Sequence, residues 1–93
     1  MINTTPRVSS RVRCYTTATV DHAATLYTVR MVELETGSHL VTCMFGSENH
    51  GTAAIITNLD CAAWSYLREK LDLREGDRAG WQLAFRAVGI AAF

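Results

Sequence analysis

The side chains able to do chemistry in this 93-residue chain are few and scattered. Three cysteines, Cys14, Cys43 and Cys61, contain no CxxC pair, and the nearest cysteine–histidine pair is His39 with Cys43. On a strand those two would share a face about 13 Å apart, at ~3.3 Å per residue. Bonds to a common ion are only about 2.0–2.3 Å long. No metal and no cofactor is expected. Cys14 and Cys43 occupy apolar-face positions, where a thiol behaves as a small buried hydrophobe. Cys61 is expected in the first turn of a helix, whose dipole would lower its pKa, with His50 the nearest base in sequence. No triad order accompanies it, so an exposed, unactivated thiol is the expectation.

Residues 46–51, GSENHG, place Ser47, Glu48 and His50 in a polar loop between two glycines. The loop has neither Walker spacing nor the dinucleotide fingerprint, and Glu48 would repel a phosphate. General acid–base work by this loop is the enzymatic alternative. The arginines offer another. Arg11, Arg13 and Arg30 are expected on the outer face of a first hairpin beside Tyr15, with Arg7 just before it. Guanidiniums next to an aromatic ring can grip phosphates and stack bases. The same hairpin, however, is expected to pair Arg13 with Glu33 and Arg11 with Glu35, and a neutralised arginine releases few counterions.

Composition bounds these choices. The formal net charge is zero and 48% of residues are hydrophobic, which suits one packed domain rather than a disordered chain. The charge is uneven: residues 1–32 carry four arginines against one aspartate, and residues 33–93 five basic against eight acidic groups. Neither half is charged enough to name a partner. No apolar run reaches the ~20 residues of a membrane helix. The start of the chain lacks the apolar core of a signal peptide. Unpaired cysteines suit a reducing compartment, so a cytoplasmic location is expected.

Those side chains must be positioned by a small set of elements. Residues 1–10 read as a flexible arm, and residues 11–93 as a single domain. Alternation predicts strands over 11–20, 25–35 and 39–45, with turns at 21–24 and 36–38. Tyr27, Val29 and Met31 are apolar at one parity but Val32 and Leu34 at the other, which predicts a bulge near Met31 and Val32. In that register Ala18 faces Tyr27, Thr16 faces Val29, Tyr15 faces Arg30 and Val12 faces Leu34. Residues 57–73, TNLDCAAWSYLREKLDL, show helical spacing: Leu59, Ala62, Ala63, Tyr66, Leu67 and Leu71 share an arc with Trp64 at its rim. Thr57 and Asp60 would cap its start, and Gly76 would stop it. Residues 52–56 fit either a strand or the start of this helix. Trp81, Leu83 and Phe85 alternate and predict a final strand, with an amphipathic helix through Trp81, Phe85 and Val88 as the second choice. The apolar tail, residues 89–93, should pack on the domain or on a partner.

The expected architecture is α+β: an antiparallel sheet, a three-strand meander plus a C-terminal strand, packed against one main helix. With no reactive constellation left over, the favoured function is a non-enzymatic module that binds another protein. Its most concrete form is a small inhibitor or immunity-type protein, of the kind mobile elements encode, that occludes a larger machine as a monomer or homodimer. Arg30, Tyr15, Glu48, His50, Trp64, Trp81 and Phe93 are the contact candidates, since aromatic and arginine side chains favour interfaces. The first alternative is a nucleic-acid-binding domain using Arg7, Arg11, Arg13, Arg30 and Tyr15. The second is a small enzyme using the 46–51 loop.

Overall fold

The structure, a computed structural model, describes residues 12–45 and 48–92. Strands β1 (Val12–His22), β2 (Thr25–Leu34), β3 (His39–Phe45) and β4 (Glu48–Ile56) form one antiparallel sheet in chain order. Two helices follow, α1 (Trp64–Leu71) and α2 (Arg78–Ala87), joined through a 3-10 turn at Glu75–Asp77. The class is α+β with an antiparallel sheet, as the sequence predicts. The arm expected over residues 1–10 lies outside the described residues.

The fourth strand is not the expected one. Residues 52–56 belong to β4, and so does the backbone of Glu48–Gly51, which the sequence reads as loop: Asn49 pairs with Met44 and Glu48 with Phe45. Ala54 and Ile56 are buried while Ala53 and Ile55 are exposed, a two-residue period that no helix produces. Residues 81–86, expected first as a strand and second as an amphipathic helix, lie in α2. Strand alternation accounts for Trp81, Leu83 and Phe85 only. The 3.6-residue period also gathers Gly80, Ala84 and Val88 onto the buried side and releases Leu83 to solvent.

The main helix is shorter than its periodicity suggests. α1 begins after Ala63, which has an extended backbone and gives no side-chain cap. Thr57 and Asp60 therefore form no capping box. Asn58 instead accepts a hydrogen bond from the Asp60 backbone N–H at 3.0 Å, an Asx turn that competes with helix. The C-terminal tail takes two further backbone groups of this stretch. Ala91 N–H donates to Leu59 at 2.8 Å, Ala62 N–H donates to Ala91 at 2.9 Å, and Ala62 bridges Ala92 in parallel. Ile90, 1% exposed, anchors that tail in the core. At the other end the helix stops at Asp72, in the left-handed region at φ 55°, with Leu73 N–H bonded to the Arg68 carbonyl, well before Gly76.

The first hairpin also differs. Its turn is only Ala23-Ala24, both left-handed at φ 53° and 64°, rather than the four residues expected. This tighter turn shifts the register by two: Ala18 lies opposite Val29, Thr16 opposite Met31, and Tyr15 opposite Val32. β2 runs without a bulge at Met31 or Val32. The irregularity is on β1 between Val12 and Cys14, leaving Arg13 as the extra residue, so that Cys14 pairs with Glu33 while Val12 meets Leu34 as expected. The partner expected for Glu35, Arg11, lies outside the described residues.

One face of the sheet carries the core. Tyr27, Val29 and Met31 of β2, Val41 and Cys43 of β3, and Ala54 and Ile56 of β4 are buried there, with Ala18 and Val20 of β1 packed at the margin. Trp64, Leu67 and Leu71 of α1 and Trp81, Ala84 and Phe85 of α2 close over them. α2 lies on β1 and β2, whereas α1 lies along β4. Full burial of each large apolar side chain contributes roughly 1.5–3 kcal/mol. The ring of Tyr27 meets Trp81 edge-on at 4.9 Å and Phe45 at 5.5 Å, a geometry worth about 0.5–1.5 kcal/mol per pair beyond area. A polar corner ties the helices together: the Trp64 indole N–H donates to Glu75 Oε1 at 2.8 Å, and the Arg78 guanidinium sits 5.6 Å above the Trp64 ring.

Candidate protein-binding face

Both helices cover the same side of the sheet, and the opposite side carries no element over it among the described residues. Antiparallel register sets its side chains in rows. Thr17, Arg30, Thr42 and Ala53 follow one another across all four strands; Val32, Leu40 and Ile55 form the next row, and Thr19, Thr28 and Met44 the row on the other side. The absence of a bulge on β2 puts Val32 and Leu34 here, half-buried, instead of in the core. The parity conflict in the sequence thus marks two apolar faces, not one kinked strand.

This side is unusually apolar for one facing water. Of the four large hydrophobic residues exposed on the described surface, Leu26 (48%), Ile55 (46%) and Met44 (37%) lie on it. Arg30 is exposed at the middle of its row, between Thr17 and Thr42. Around it Thr17, Thr28, Thr42, Cys43 and Met44 line a shallow depression of about 270 Å³. The Thr19 and Thr28 hydroxyls bond to each other at 2.9 Å beside it. The chemistry on this side is recognition: a planar, charged guanidinium beside threonine hydroxyls, with aliphatic side chains around it.

The other sequence-derived candidates are placed as follows. Trp64 is 4% and Trp81 1% exposed; both are core residues, because helix formation turns them toward the sheet, and neither offers surface to a partner. Phe93, Arg7 and Arg11 lie outside the described residues, as do the side chains of Arg13, Tyr15, Glu48 and His50. The backbones of Arg13 and Tyr15 are in β1, and those of Glu48 and His50 are in β4. Cys61 is exposed and lies ahead of α1, not in its first turn as expected. Cys43 is buried, and burial pushes its thiol up to about 12. Among the described residues no three His, Cys, Asp or Glu side chains gather as a metal site. No helix there is long and apolar enough to cross a membrane.

Leu26, Met44 and Ile55 are the face residues that sequence reasoning missed. The signal was present in the second parity of β2 and β3, where Leu26, Val32, Leu34, Leu40 and Met44 alternate with the core set. No family model, no curated protein and no solved structure matches this chain.

Proposed function

We propose that this chain is a non-enzymatic module that binds another protein through the uncovered sheet face, with a carboxylate of the partner seated at Arg30. The observation that carries this reading is the coincidence of three exposed large aliphatic side chains with a centrally placed guanidinium on one uncovered side. An apolar patch rimmed by polar groups on a small domain marks contact, and a charge-assisted bond to a partner acid supplies orientation within it. The depression beside Arg30, about 270 Å³, is smaller than the roughly 300–1,000 Å³ usual for a small-molecule site, which suits a protein surface better than a small substrate. The concrete form is a small inhibitor or immunity-type protein that works by covering a larger partner.

The test has two stages. Cross-linking from the wild-type chain followed by mass spectrometry identifies a bound protein, which is then purified and titrated against Arg30→Glu and Ile55→Ser. Each variant should keep its fold by circular dichroism and weaken binding at least about tenfold, the equivalent of ~1.4 kcal/mol. Unchanged affinity for both variants overturns the reading. So does binding to DNA or RNA that falls steeply with salt and is lost in Arg30→Glu.

A further inference from the structure

We infer that the element this face receives is a single amphipathic α-helix of the partner, about four turns long, with a carboxylate near its middle over Arg30. The inference rests on the protein-binding reading above and names what the partner brings to it.

The exposed aliphatic side chains fall on a diagonal. Leu26 is on β2, Met44 on β3 and Ile55 on β4, and each step across the sheet also moves along the strands. Ile55 shares its row with Val32, six residues beyond Leu26 on β2. Two strand spacings of about 4.8 Å and six residues of ~3.3 Å give a line about 22 Å long, inclined roughly 25° to the strands. Leu40, Thr42 and Met44 of β3 all lie within ~5 Å of that line. The apolar strip is thus close to the ~10–12 Å diameter of one helix, and its length corresponds to about 15 residues.

Other elements fit the strip less well. Beyond it, Thr17 and Thr19 of β1 are exposed, and a second sheet spread over the whole face would strip their hydroxyls of water. An extended segment laid on the face would bury backbone N–H and C=O groups that find partners only at a strand edge. A helix satisfies its own backbone groups internally.

Arg30 completes the fit. It stands four residues along β2 from Leu26, a little past half the length of the diagonal, and ~6 Å to its β1 side. A glutamate or aspartate beside the apolar stripe of the helix reaches this position and makes a charge-assisted bond.

The same charge decides among occupants. Residues 1–11 hold no aspartate or glutamate. A second copy offers Asp21, the one carboxylate among the described residues on this face, paired opposite Leu26. Joining each Arg30 to the other copy's Asp21 sets the two-fold axis across the Thr19–Thr28 row. Ile55 is then carried beyond the hairpin end of the other copy and stays in water. A separate acidic helix covers Leu26, Met44 and Ile55 together and still meets Arg30.

The test uses the full chain and a display library of helical peptides about 15 residues long, randomised over one face and its flanks. Selection on the wild-type chain should enrich an apolar stripe at three- and four-residue spacing, with an acid at one flank near the middle. An enriched peptide, synthesised alone, should shift the amide NMR signals of Leu26, Arg30, Met44 and Ile55. Arg30→Glu should weaken it about tenfold or more, and a lysine in place of the peptide's acid should restore binding to that variant. Restoration also shows that the variant is folded. The inference is overturned if no helix is enriched, if the enriched helices carry no acid, or if the shifts fall elsewhere. Binding indifferent to Arg30→Glu, or not restored by the lysine peptide, overturns it equally. A cross-linked partner that loses affinity in Arg30→Glu and Ile55→Ser while no helix is enriched sinks the helix alone and leaves the broader reading intact.

Discussion

The ring of Tyr27 lies directly under the backbone of Gly80, leaving no room for a side chain there. A Cβ at Gly80 would sit 2.7 Å from Tyr27 Cδ2 and closer still to Cε2 and Cζ. The ring is itself held by Trp81 and Phe45 and reaches Asp77 through its hydroxyl at 3.4 Å, so it has nowhere to retreat. This contact seats α2 on β2 and, through α2, decides which side of the sheet is covered.

Gly80→Ala should therefore destabilise the protein despite the better helix propensity of alanine. The clash costs about 1–3 kcal/mol, against ~1 kcal/mol gained from propensity. A lowered urea midpoint with an unchanged slope would show it; a raised midpoint would mean that the helix shifts freely on the sheet.

The β1–β2 turn should be improvable. Ala23 and Ala24 both occupy the left-handed region, where a Cβ costs roughly 1–2 kcal/mol per residue. A two-residue hairpin of this kind prefers Asn-Gly. Ala23→Asn with Ala24→Gly should raise stability by about 1–2 kcal/mol, read from thermal or denaturant unfolding. A loss of stability would contradict the turn geometry.

Glu75 should make the helix corner sensitive to acid. The hydrogen bond from Trp64 holds its carboxyl below the ordinary value of 4.5, with Arg78 and Arg68 acting in the same direction. A lowered folded-state pKa means that the stabilisation is present above the ordinary carboxylate range and is lost as pH falls through the folded value. The Trp64 indole N–H resonance should titrate below that range, and Glu75→Gln should flatten the curve. The carboxylate is exposed, so the effect on global stability is expected to be small.

The thiols should separate by reactivity. In a Cys14→Ser background, the exposed Cys61 should react with a disulfide reagent in the native protein, whereas the buried Cys43 should react only when the protein opens. Burial raises the Cys43 thiol from its ordinary 9.0 to about 12. The stability gained by keeping it neutral is full below the lower value and drains away as pH rises between the two. Rapid modification of Cys43 in the native state would show that the centre of the sheet breathes.

Local chemistry alone determined much of this protein. The two-residue period of Tyr27, Val29 and Met31 and of Val41 and Cys43 named the core face of the sheet. The Leu67–Leu71 spacing named the buried stripe of α1, and the apolar tail declared that it would be packed. Periodicity reports which side chains want to leave water, and for these residues one burial solution satisfied the pattern.

Tertiary structure decided the rest wherever a pattern had two solutions. Trp81, Leu83 and Phe85 fit a strand until Tyr27 supplied a surface that takes the adjacent Gly80 and Trp81 together, which a strand, with successive residues on opposite faces, could not present. Residues 57–63 had helical spacing, but the tail around Ala91 offered their backbone groups other partners. The second apolar parity of β2 invited a bulge, because a sequence pattern counts hydrophobic residues without saying how many faces there are to hide them. Among the described residues two short helices cover one side of the four-stranded sheet, so Leu26, Met44 and Ile55 stay exposed on the other.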